Sequence, residues 1–278
     1  MKIAISAEST IDMPKELLNK YDIHTVPFTV ILGQTEALDG TIENSKIFEF
    51  VKQNNILPKT SAVNKFQYQE HFTKLKQNYD AIIHISLSSE FSSAFSNACE
   101  VANAMENVFV IDSRSLSTGI ALLAIKARTL ANENKTCPEI VSTLEKLTSK
   151  LQVSFVIDKL DYLYKGGRCS GLAVFGANLL SLKPQIVVDD GKMRVGKKYI
   201  GKLEKIIPKY CEDCLSAYSG FDLSVAFVTY TTATENMINS AVKALKSRGF
   251  ENIYITTAGG TITSHCGPNT MGILFITK

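Results

Sequence analysis

Residues 81–111, AIIHISLSSEFSSAFSNACEVANAMENVFVI, read as strand, helix and strand. Ala81–Ser86 and Val108–Ile111 are short apolar runs of strand length. Between them, Phe91–Met105 spaces its apolar residues as one face of a helix. A strand returned through a helix to another strand is the unit that builds a parallel sheet. The same rhythm extends upstream. Ile3–Ser6 is a strand, and Asp12-Met-Pro14 opens a helix through Tyr21, with Asp12 as N-cap and Pro14 in the first turn. His24–Leu32 is a second strand. Asn44–Gln53 is a helix with Ile47, Phe50 and Val51 on one face, and Phe66–Tyr79 is another. Downstream, a helix runs from Leu116 to Asn132. The pattern predicts an α/β domain whose parallel sheet is covered on both faces. Ligands of such sheets bind beyond the carboxyl ends of the strands, where Ser86–Ser93 and Asp112–Ser117 fall.

The second half changes character. A helix near Pro138–Lys150 precedes the strand Val153–Ile157, then Lys165-Gly-Gly-Arg168 and a Gly/Ala-rich helix over Gly171–Leu182. Asp189-Asp-Gly191 between Gln185–Val188 and Lys192–Lys197 signals a β-hairpin. Helices near Leu203–Tyr218 and Ala233–Ser247 alternate with strands at Leu223–Tyr230, Asn252–Thr256 and Gly272–Ile276. A hairpin among helices predicts a mixed or antiparallel sheet. The expected division is an N-terminal α/β domain over residues 1–152 and a C-terminal α/β domain over residues 153–278.

Composition agrees with two packed domains. The chain has 278 residues, 45% hydrophobic and 21% charged, which argues against disorder. Thirty Lys+Arg against 27 Asp+Glu leave a net charge of +3, no global footprint for nucleic acid or membrane. Met1 runs straight into a strand without a leader pattern, and no apolar run approaches the roughly 18 residues of a spanning helix. A cytoplasmic location is expected. The six cysteines are scattered without a secreted framework. Cys211-Glu-Asp-Cys214 lacks the second pair or spaced histidines a zinc site needs, so no metal is expected.

Five polar clusters could carry chemistry. Thr60-Ser61 precedes a helix, and either caps it or offers hydroxyls and N–H groups to an anion. Ser86–Ser93 holds five serines, more than one cap needs, and fits a hydroxyl and amide cradle as well as a capping loop. It has neither phosphate-loop nor nucleophile-elbow spacing. Asp112-Ser-Arg-Ser115 reads as a cap from Asp112 or Ser113. His265, in a turn beside Gly267-Pro268, could bind an anionic head group, carry a proton or hold the turn. Lys165-Gly-Gly-Arg168 fits a phosphate site, a docking loop or a solvated turn.

In this order the clusters resemble the DegV family of bacterial fatty-acid-binding proteins, over nearly the whole chain. Ile3–Pro14 is similar to that family's strand, Asp-Ser-Thr and Pro-started helix. Pro58-Lys-Thr-Ser61, Ile85–Ala98, Val110–Arg114 through Gly119, Leu160–Arg168 and Ser264–Pro268 match its further motifs. The resemblance implies two α/β domains with one fatty acid in a tunnel between them. It implies a carrier that presents the carboxyl group to a separate ATP-dependent fatty acid kinase for phospholipid synthesis, and is not itself an enzyme. Thr60, Ser61, Ser92 and His265 match the head-group positions, Ser93 adjoins them, and Arg168 matches a kinase-docking position. No cofactor beyond the bound fatty acid, no nucleic acid and no membrane insertion is implied.

Physical chemistry agrees with that implication. About fifteen buried methylenes at roughly 0.8 kcal/mol each give on the order of 12 kcal/mol gross, reduced by ordering costs. The carboxylate then needs hydrogen-bond donors, or its desolvation would cancel much of the gain. The chain departs from the family's Ser-Gly-Thr-Tyr with Ser92-Ser-Ala-Phe95, from His-Thr-Gly-Pro-Gly with His265-Cys-Gly-Pro-Asn269, and from an early Asp with Glu8. The competing reading is a hydrolase or transferase of acyl or phosphate esters, with Ser92 or Ser89 as nucleophile and His265 as base.

Overall fold

The computed structural model describes residues 1–169 and 182–278. The first half contains β1 (Ile3–Glu8), α1 (Lys15–Lys20), β2 (Ile23–Val26), β3 (Thr29–Leu32), β4 (Thr35–Leu38), α2 (Asn44–Asn54), β5 (Lys59–Ser61) and α3 (Lys65–Lys76). It continues with β6 (Ala81–Ser86), α4 (Ala94–Ala102), β7 (Val108–Asp112), α5 (Thr118–Asn132) and α6 (Cys137–Thr148). The second half contains β8 (Leu151–Val156), α7 (Leu160–Lys165), β9 (Leu182–Asp189), β10 (Lys192–Ile200), α8 (Leu203–Ser216), β11 (Phe221–Tyr230), α9 (Glu235–Ser247), β12 (Asn252–Thr257), α10 (Gly260–Cys266) and β13 (Met271–Thr277).

The fold is a two-domain α/β arrangement. The first sheet is parallel throughout, in the order β2-β1-β6-β7. Every residue of β1 and β6 is buried, as strands covered on both faces require. The second sheet, β10-β9-β8-β13-β11-β12, is antiparallel except for the parallel β11–β12 pair, and so is mixed. Its hairpin turns at Asp190 and Gly191, both at positive φ, which is the two-residue turn that Asp-Gly favours. Helix α5 is the shared wall: it packs on β1 and β6 of one sheet and on β8, β11 and β13 of the other. A second apolar cluster lies between the mixed sheet and α8 with α9, and both Cys211 and Cys214 are buried in it.

Several local expectations change. The run 24–32 is two strands, because Pro27 lacks the N–H a continuing ladder needs. β3 instead pairs with β4 and β5 in a small antiparallel sheet. Asp12 does not cap α1; Pro14 holds that position, and Asp12 sits at φ 53 with its carboxylate turned to the second domain. Asn64 with Gln67 forms the capping box of α3, so Thr60 and Ser61 are not its caps. Neither Asp112 nor Ser113 caps α5, whose N-cap is Ser117. Two short helices depart from the sequence reading: α7 fills a stretch given no element, and α10 carries His265, which was expected in a turn. The helix expected over 171–182 lies outside the described residues, except that Leu182 opens β9. Among the described residues, no helix is long and apolar enough to cross a membrane.

Candidate functional site

The site is built around α10, seven residues whose position is set from the other domain. Gly259 N donates to Asp12 Oδ1 at 2.8 Å and Gly260 N to Asp39 Oδ1 at 2.7 Å. These two side chains accept from amides left free at a helix start. Each has a second donor: Ser117 Oγ reaches Asp12 Oδ2 at 2.5 Å, and Ser9 Oγ reaches Asp39 Oδ2 at 2.9 Å. Burial raises the Asp12 carboxyl to about 8 against the hydrogen bonds from Ser117 and Gly259, and the neighbouring Asp39 adds to the rise.

So placed, α10 turns His265 toward β5, where its Nε2 shares a hydrogen bond with Thr60 Oγ1 at 2.8 Å. Burial, with the Arg168 guanidinium adding, lowers His265 to about 4, so the imidazole is neutral at neutral pH. The other edge of the ring is crowded by the loop after α7. A Cβ on Gly166 would stand 2.8 Å from His265 Nδ1, too close for any side chain. Arg168 Nη1 donates to Gly166 O at 2.6 Å, and its Nε reaches Phe91 O at 3.4 Å, tying this loop to the serine-rich one.

The serine-rich loop is anchored from below. Buried Glu8 accepts from Leu87 N at 2.9 Å, Ser86 Oγ at 2.6 Å, Tyr68 OH at 2.6 Å and His84 Nε2 at 3.0 Å. Burial pushes the Glu8 carboxyl up, but His84 and the hydroxyl donors outweigh it and leave the group below its ordinary value. Ser89 Oγ donates to Asp112 Oδ2 at 2.6 Å, which gives Asp112 its role as a clamp between two loops. From the second domain, the hairpin tip closes on both of these loops: Ser88 Oγ donates to Gly191 O at 2.8 Å, and Arg114, in the loop after β7, pairs through Nη2 with Asp190 Oδ1 at 2.7 Å.

These elements enclose a cavity of about 280 Å³. Thr60, Ser61, Ser92, Ser93, Arg168 and His265 all line it, with Phe28, Leu87, Phe91, Leu116, Met193 and Ile262 as the apolar wall. The six residues that the family resemblance pointed to are therefore brought to one space, whereas Ser89, Asp112 and Lys165 lie outside it. Ser61 and Ser93 are exposed at its rim, whereas Ser92 is half-buried with its Oγ accepting from Ala94 N at 3.2 Å. At the apolar end, Leu116, Ile262 and Cys266 also line a narrow extension of about 30 Å³. At the polar end, Thr60, Arg168 and His265 also line an outer groove of about 980 Å³. That groove carries Lys52, Lys59, Lys159, Lys165 and Arg168 against the single acid Asp161.

The arrangement offers neutral donors at one end of an apolar space. His265 pairs with Thr60, Ser89 Oγ donates to Asp112 and Ser92 Oγ accepts from the backbone, so neither of these two serines is paired with His265. Among the described residues, no group of three or more His, Cys, Asp or Glu side chains is placed to hold a metal ion. Sequence reasoning missed Thr261, a buried threonine that lines the cavity one turn before His265. The i, i+4 spacing to His265 was the available signal, but it has meaning only once 260–266 is known to be helical.

The family model described as an uncharacterised protein of the DegV family matches residues 2–278. A DegV domain-containing protein of Caldanaerobacter subterraneus is 30% identical over 282 residues, covering 100% of this chain and 99% of that one. A solved structure described as fatty acid binding of a DegV family protein from Thermus thermophilus is similar with a TM-score of 0.91, at 25% identity over 100% of both chains. Another, DegV of Bacillus subtilis, described as a fatty acid binding protein, has a TM-score of 0.84 at 26% identity, again over 100% of both chains.

Proposed function

The chain belongs to the DegV family, and on that premise we propose that it binds one long-chain fatty acid and presents the carboxyl group to a separate fatty acid kinase. The observation that carries this reading is the Thr60–His265 pair, set where an apolar cavity meets an outer groove. The acyl chain lies between the domains, residues 1–152 and 153–278, against Phe28, Leu87, Leu116 and Ile262. Its carboxylate accepts from Ser92 and from the Thr60–His265 pair, in which His265 Nε2–H donates to Thr60 Oγ1 and leaves the Thr60 hydroxyl proton for the ligand, with Ser61 and Ser93 at the rim. Hydrogen bonds to a charged acceptor are each worth roughly 1.5–3 kcal/mol, enough to offset desolvation of the head group.

None of these donors carries a permanent charge, since His265 is held neutral. A carboxylate bound this way keeps its nucleophilic oxygen, which an ion pair would quench. The phosphoryl group comes from ATP on the kinase, and the chain contributes orientation and exclusion of water. Arg168 and the lysines of the outer groove dock the kinase, and the acyl phosphate product feeds phospholipid synthesis in the cytoplasm. Mass spectrometry of the organic extract from protein made in a bacterial host tests the reading. About one long-chain fatty acid per chain is expected; protein that stays unliganded after incubation with free fatty acids overturns it.

A further inference from the structure

Thr261 is 3% exposed and lines the cavity, yet its Oγ1 has no hydrogen-bond partner. Its helix neighbours differ. Ser264 Oγ donates to Gly260 O at 2.7 Å, the usual way a helical hydroxyl is satisfied, and Thr263 Oγ1 reaches back to Ala258 O at 3.3 Å. Thr261 sits in the first turn of α10, where no preceding turn of helix supplies such a carbonyl. A buried hydroxyl left unpaired is costly, and on a residue that lines a cavity the nearest source of a partner is whatever fills that cavity. The hydroxyl is also fixed in place, because Asp12 and Asp39 hold the two amides just before it.

Thr261 and His265 stand one turn apart, on the same face of α10. Thr60 closes the other side of His265 at 2.8 Å. A carboxylate has two oxygens and about four acceptor sites, more than one imidazole and one hydroxyl can fill. We propose that Thr261 is a further head-group residue, whose Oγ1 donates to the carboxylate oxygen on the inner side of His265 and so selects an acid over a neutral lipid of the same length. This assignment rests on the fatty-acid reading above.

The test uses the full chain, [1-¹³C]palmitate and the matching alcohol, hexadecanol, with Thr261→Val and Thr261→Ser. Valine keeps the shape and removes the hydroxyl; serine keeps the hydroxyl. Expected is a roughly ten- to a hundredfold weaker palmitate affinity in Thr261→Val, near-parent affinity in Thr261→Ser, and a smaller change for hexadecanol. The bound carboxyl should also titrate at higher pH in Thr261→Val, followed by its ¹³C shift, a change that packing alone would not produce. Parent-like affinity and an unmoved titration in Thr261→Val overturn the assignment and leave the fatty-acid reading standing. Tighter palmitate binding in that variant does the same, since it places the hydroxyl against the acyl chain. Failure of the parent itself to bind palmitate overturns both.

Discussion

Asp12 Oδ1 accepts a hydrogen bond from the Gly259 amide at 2.8 Å, although 247 positions separate the two residues in the chain. That contact ties the loop after the first strand to the start of the helix bearing His265, and the site depends on it. Asp12→Ala leaves Gly259 N and Ser117 Oγ without their acceptor and puts a Cβ-only side chain at φ 53. A loss of about 2–4 kcal/mol is expected in urea unfolding. Asp12→Asn keeps the acceptor on the same oxygen and should lose less than half as much.

The same carboxyl predicts a pH dependence. Its folded pKa, about 8, lies above the ordinary 3.8, so the folded chain holds the proton more tightly than the unfolded chain. The stability this contributes is complete below pH 3.8 and is lost as pH rises toward 8. The slope is at most about 1.4 kcal/mol per pH unit. Asp12→Asn should flatten the stability profile between about pH 6.5 and 8, above the range where the histidines titrate. An equally steep decline in both proteins would contradict the assignment.

His265 has the opposite sign. Its folded pKa of about 4 lies below the ordinary 6.5, so the unfolded chain binds the proton first. Stability is present at neutral pH and falls as pH drops from 6.5 to 4. Imidazole resonances of His265 should show no protonation step between pH 8 and 5. A midpoint near 6.5 in ¹H–¹⁵N spectra would mean the ring is solvated rather than enclosed.

Gly166→Ala tests how tightly the ring is enclosed. Gly166 has φ −68, which alanine adopts freely, so backbone strain is not at issue. The new methyl would meet His265 Nδ1 at 2.8 Å and Tyr162 O at 2.9 Å. Overpacking of this kind costs about 1–3 kcal/mol. Palmitate affinity should fall several-fold or more, with a second substitution, His265→Ala, relieving the part of the thermal destabilisation that comes from the imidazole and not the part from Tyr162 O.

Arg168→Ala and Ser92→Ala should separate docking from binding. Ser92→Ala should weaken palmitate binding about tenfold or more. Arg168→Ala should leave binding within a few-fold and reduce acyl-phosphate formation with a matching kinase, trapped as a hydroxamate. Equal losses of binding and coupling in Arg168→Ala would move Arg168 into the head-group site, whose cavity it also lines.

The parallel sheet was legible because β1 and β6 open on the apolar runs Ile3–Ile5 and Ala81–Ile83, and both strands are buried along their whole length. The hairpin was legible because Asp190-Gly191 answers a local demand for positive φ. Helix α10 was not. Gly260-Thr-Ile-Thr-Ser-His-Cys266 is poor helix-forming material, and distant carboxylates hold its first turn. Misreading it as a turn hid the spacing of Thr261 to His265. Asp12 was misassigned for the same reason: a carboxylate ahead of a helix resembles a local cap, and its real partners, Ser117 and Gly259, are far away in the chain. Thr60 and His265 were found by motif, while their direct pairing required the fold.

The reach from Asp12 to Gly259 also sets an order of events during synthesis. At about 5–20 residues per second, the strand and loop bearing Asp12 leave the ribosome tens of seconds before the glycines that complete them. Through that interval the first domain has two carboxylates, Asp12 and Asp39, with no amides from α10 to receive. They stay hydrated until the late-made segment arrives, so the inner wall of the cavity closes last. A nascent chain therefore has no closed cavity before Gly259 and Gly260 have been made and have reached these carboxylates.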